Sequence, residues 1–97
     1  MNAEQKELFR KAILRILDAN RTRFGLGVVN ISFRLDAFNF TSRDFGGEAA
    51  QLREAITDEI DYLVGKGLVA ETKKEISAEN RAWRITEKGI ALVDSGV

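Results

Sequence analysis

Apolar residues along the chain keep one period up to Gly67 and another after it. Leu8, Phe9, Ala12, Ile13, Ile16 and Leu17 recur at the spacing that stacks one stripe at about 100° per residue, which predicts a helix over residues 3–20. The stretch ANRTRFGLG breaks the pattern with two glycines and is expected to connect. Val28, Ile31, Leu35 and Phe38 then face inward together on a second helix over 28–38. Residues 39–47 read as a turn too long for a tight helix-turn-helix, with Thr41, Ser42 and Asp44 able to accept hydrogen bonds from free amides at a helix start. A third helix over 48–64 buries Leu52, Ile56, Ile60, Leu63 and Val64, and Gly65 and Gly67 are expected to close it in the left-handed conformation. Beyond Gly67 the period drops to two. Leu68 and Val69 open one strand, residues 72–81 are too polar to be buried, and Trp83 and Ile85 share one face of a second strand. Thr86, Lys88 and Gly89 start a last short helix that returns Ile90, Leu92 and Val93 to the core.

These elements predict an α+β, mostly helical fold: three helices, a two-stranded ribbon whose polar tip projects into solvent, and a short C-terminal helix. With 97 residues, the chain is expected to form a single domain over 1–97 with a core that needs no staples. Composition then removes several chemistries. There is no cysteine, hence no disulfide, thiolate nucleophile or zinc knuckle, and no histidine, hence no imidazole base. No metal or cofactor is expected. Apolar runs of a few residues fall far short of the roughly 20 that cross a bilayer, and the charged start MNAEQKE does not read as a signal peptide. No membrane association is expected, and a cytoplasmic location is.

The phrases YLVGKGLV (residues 62–69) and WRITEKGIALV (residues 83–93), set in this order of elements, resemble the winged helix-turn-helix superfamily over nearly the whole chain. The first is similar to that family's junction between recognition helix and first wing strand, and the second to its second wing strand passing into a final helix. The chain most resembles small bacterial or phage-type regulators. The resemblance implies duplex DNA as partner, with the third helix in the major groove and the wing on the backbone or minor groove.

The charges qualify that implication. Fifteen basic and fifteen acidic residues leave no net charge, so the broad positive field of a strong nonspecific binder is missing. With its apolar stripe buried, the third helix turns Arg53, Glu54, Thr57, Asp58 and Asp61 outward, one cation among three carboxylates. Its first turn is better suited: Thr41, Ser42, Arg43, Gln51 and Arg53 lie near a helix start, where amides and dipole favour phosphate. The ribbon adds Lys73, Lys74, Arg81 and Arg84 around Glu75 and Glu79. Those cations either rest on phosphates or simply guard a sheet edge. Trp83 is expected to plug the core, its indole N–H bonded to a carbonyl. Asp58, Glu59 and Asp61 sit together on what reads as an exposed helix face without a cleft, so no enzyme is expected. Lys6, Arg10 and Arg15 read as ordinary helix surface.

Two function classes follow. One is a DNA-binding regulator, a homodimer through the broad stripe of the first helix, where Leu8 and Phe9 lie beside Ile13 and Ile16. The other is a protein-interaction module on the same frame, docking a protein partner through Glu54, Asp58 and Asp61.

Overall fold

The computed structural model describes residues 2–73 and 80–96; the side chain of Lys73 lies outside that description, as do residues 74–79 with the expected ribbon tip. Helix α1 spans Ala3–Ala19. Its start is closed reciprocally: the Gln5 amide donates to Asn2 Oδ1 at 2.8 Å and the Asn2 amide donates to Gln5 Oε1 at 3.2 Å. Phe9, Ala12, Ile13, Leu14, Ile16 and Leu17 make its buried face. Leu8, expected in that stripe, is 52% exposed, and Leu14 takes its share of the core instead.

The connection after α1 holds a strand that periodicity does not reveal. Strand β1, Leu26–Gly27, pairs antiparallel with Trp83 and Ala82. Gly25 at φ +76° makes this approach possible, because a Cβ there would lie 2.3 Å from the Trp83 carbonyl oxygen. The expected two-stranded ribbon is therefore the larger part of a three-stranded antiparallel sheet, ordered β1-β3-β2.

Helix α2, Val28–Arg34, is shorter than expected and tightens into a 3-10 turn over Leu35–Phe38, ended by Asn39 at φ 65°. A second 3-10 turn, Ser42–Phe45, occupies the segment expected to be a plain connection. Helix α3 runs Ala49–Gly65 and buries Leu52, Ile56, Glu59, Ile60 and Leu63, whereas Val64 is 37% exposed. The left-handed residue that ends it is Gly67 alone, at φ +76°. The Gly67 amide donates to the Val64 carbonyl at 3.0 Å and the Leu68 amide to the Leu63 carbonyl at 3.0 Å, the paired bonds of a Schellman closure.

Strand β2, Val69–Lys73, and strand β3, Ala82–Ile85, pair Val69 with Ile85 and Glu71 with Trp83, and the register slips between Glu71 and Lys73. Helix α4, Glu87–Asp94, starts on Thr86, whose hydroxyl oxygen accepts from the Gly89 amide at 3.1 Å and whose O–H donates to the Gly67 carbonyl at 2.7 Å. Helices and sheet enclose one core in which Ile13, Ile31, Leu35, Ile56, Ile60 and Trp83 are fully buried. Phe9 packs at ring distances of 5.2 Å from Phe40, between the two turns, and 4.8 Å from Phe45, in the second, tying the α2–α3 connection to α1. Trp83 is the expected plug, but its indole N–H meets no partner among the described residues.

Candidate functional site

The residues singled out in the sequence divide into three places. The first is the 3-10 turn before α3. Here the Thr41 amide donates to Asp44 Oδ2 at 2.9 Å, and the Gly47 amide donates to the Ser42 carbonyl at 2.8 Å. This fixes a rigid loop from which Arg43 projects, exposed, while Ser42 is half-buried.

The second place is the start of α3. Glu48 caps it, and the Glu48 amide donates to Gln51 Oε1 at 3.2 Å. The Gln51 side chain thereby folds back over Gly46, whose absent Cβ would lie 2.5 Å from Gln51 Oε1. An acidic residue thus holds the cap position that was expected to attract phosphate, its backbone carbonyl accepting from the Gln51 amide at 3.1 Å and the Leu52 amide at 3.2 Å, while the Gln51 side chain is committed to the Glu48 amide. Arg53, half-buried one turn on, has no carboxylate in ion-pair range among the described residues; nor does Arg43.

The third place is the base of the ribbon. The Arg81 guanidinium donates to Glu71 Oε1 from Nε at 3.1 Å and from Nη2 at 2.6 Å, and from Nη2 to Asp61 Oδ1 at 3.0 Å. It also lies 5.0 Å above the Trp83 ring. The hydrogen bond to Glu71, with a smaller one to Asp61, raises its pKa against the opposing effect of burial. Arg81 therefore clamps β3 to β2 and to the far half of α3, a role that sequence spacing does not announce. Arg84 is exposed on the outer face of β3, opposite Ala70. Lys73 belongs to β2 by its backbone, and Lys74 lies outside the described residues.

Of the acidic side chains expected on a docking face, Glu54 and Asp58 are exposed one turn apart, and Asp61 is the carboxylate held by Arg81. Glu59 departs from expectation. It is 6% exposed and hydrogen-bonded to Arg10 Nε, so it belongs to the interior and Arg10 is no ordinary surface cation. The Arg10 guanidinium also covers the Tyr62 ring at 4.0 Å, and its hydrogen bond to Glu59 is the main cause of its raised pKa. The sequence did carry a signal: Ile56, Glu59, Ile60 and Leu63 keep the i, i+3, i+4, i+7 phase of a buried stripe.

Among the described residues, no three His, Cys, Asp or Glu side chains are grouped to hold a metal ion. No helix among them is long and apolar enough to cross a membrane. Comparison with protein-family models, curated proteins and solved structures gave no significant match to the chain.

Proposed function

We propose that the chain is a winged helix-turn-helix DNA-binding protein of the regulator type. The observation that carries this reading is the topology: α1, a short strand, α2, a braced turn, α3, then a hairpin, in a sheet ordered β1-β3-β2. That arrangement sets α3 beside α2 and the ribbon beside the end of α3, as the resemblance in the two sequence phrases implies. The cations suited to phosphate are Arg43, Arg53 and Arg84, with Lys73 and Lys74 of the ribbon added on sequence grounds. Arg81 already serves two carboxylates and contributes by holding the ribbon in place.

The test is a salt series on random and genomic duplex DNA. Each cation that displaces a condensed counterion contributes about 0.9 to the slope of log affinity against log salt, so neutralising Arg43, Arg53 and Arg84 together should flatten it by up to about 2.7. Arg81→Ala should change the slope by less than one such step. No duplex binding by the wild type at low salt would remove the proposal.

A second reading, a protein-interaction module, is favoured by the exposed Glu54 and Asp58 on α3. Asp58→Ala separates the two. It should tighten DNA binding if α3 faces phosphates, by relieving repulsion, and should weaken a protein complex if α3 is the docking face.

A further inference from the structure

On the side formed by α1, the end of α3 and α4 lies a cavity of about 330 Å³, unrelated to the residues discussed above as DNA contacts. Its floor is apolar: Leu14 and Leu63 are buried in the core, and Leu68 and Leu92 cover it from the ribbon start and from α4. Its rim carries Lys11, Lys66 and Lys88. None of these lysines has a carboxylate within ion-pair range among the described residues. Arg10 and Glu7 also border the opening; Arg10 is bonded to Glu59 and lies 3.6 Å from Glu7, so these three sum to one negative charge, which the three rim lysines outweigh. The Lys88 ammonium donates to the Lys66 carbonyl at 3.1 Å, which covers the carbonyl end of α3 and prevents it from repelling an anion at the mouth. Lys66 in turn lies 5.6 Å from the Tyr62 ring, which keeps its charge beside the opening.

The volume falls at the lower end of the range for small-molecule sites, roughly 300 to 1,000 Å³, where apolar walls supply affinity and a few polar groups set orientation. We infer that this cavity binds a small amphipathic anion, an apolar chain or ring carrying one carboxylate, with its body against Leu14, Leu63, Leu68 and Leu92 and its charge between Lys66 and Lys88. The inference is independent of which macromolecule the domain serves.

Octanoate is the probe, and 1-octanol its uncharged counterpart. In a titration of the full chain followed by backbone amide NMR, octanoate should shift the signals of Leu14, Leu68 and Leu92 together with Lys66 and Lys88. 1-Octanol should bind at least about tenfold more weakly, as expected where a charge-assisted contact is missing. The double variant Lys66→Glu, Lys88→Glu should lose that preference while its affinity for 1-octanol is kept. Because the comparison of the two probes uses the wild type alone, a poorly folded variant does not decide the matter. Shifts that are absent or scattered elsewhere, or equal binding of octanoate and 1-octanol, would overturn the site.

Discussion

Arg10 and Glu59 show how a single side chain can be misread when its partner is remote. On its helix Arg10 follows Glu7 by three positions, the ordinary spacing of a surface pair, yet its main partner lies 49 residues away on α3. A carboxylate that is 6% exposed is tolerable only while its hydrogen bond and charge are answered. Arg10→Ala should therefore cost about 1 to 3 kcal/mol, below the cost of breaking a fully buried pair because solvent still reaches the guanidinium. Arg10→Ala combined with Glu59→Leu should recover most of that loss. Urea unfolding followed by the fluorescence of Trp83, the chain's one tryptophan, measures both. Equal midpoints for wild type and Arg10→Ala would show that Glu59 is stable unpaired. The pH dependence follows from the direction of the shift. The pKa values of Arg10 and Arg81 are raised above an already high value, so their contribution is complete below the ordinary arginine range and is lost only beyond it, in strong alkali. With no histidine or cysteine in the chain, the urea midpoint should stay nearly flat between about pH 6 and 8.

At the level of elements, the glycine in α4 is the tightest junction. A Cβ on Gly89 would lie 2.2 Å from the Leu68 carbonyl oxygen and 2.6 Å from Ile85 Cγ1. Alanine is normally the better helix former, by about 1 kcal/mol. Here the contact should win, and Gly89→Ala should destabilise the domain by about 1 to 3 kcal/mol by pushing α4 off the sheet. Thermal unfolding measures it, and a variant more stable than wild type would mean that α4 is free to shift. What sequence revealed of the elements follows the same logic of local against remote causes. Helices α1 and α3 and strand β3 were legible because apolar period and caps are written in neighbouring residues. Strand β1 was not: two residues carry no period, and Leu26 and Gly27 are strand only because Trp83 and Ala82 lie beside them. The site was legible in part. Arg43 and Arg84 are exposed as outward positions should be, but the engagement of Arg81 by Glu71 and Asp61 depends on tertiary placement, and the folding back of Gln51 depends on a cap at Glu48 whose bond no periodicity reveals.

For the whole molecule, assembly and DNA binding can be read from one number. The breadth of the α1 stripe suggested a dimer seam, yet Phe9, Ile13 and Ile16 are spent on the domain's own core, leaving Leu8 as the exposed apolar side chain of that face. Leu8 borders a groove with Phe38 and Phe40, and a two-fold contact through α1 would seat Leu8 there in the partner copy. A protomer with Arg43, Arg53, Arg84, Lys73 and Lys74 on phosphates gives a salt slope of up to about 4.5, and a two-fold dimer engaging two half-sites doubles it. We therefore expect a slope above about 5 for the wild type. Leu8→Asp should lower it to the single-protomer value, because it replaces an apolar contact with Phe38 and Phe40 by a carboxylate that loses its hydration against those rings. Sedimentation at about 50 µM provides the independent check, since a micromolar association is visible at that concentration. A wild type that sediments as a monomer, with a slope below about 4.5 that Leu8→Asp leaves unchanged, would rule out the α1 dimer while leaving duplex binding intact.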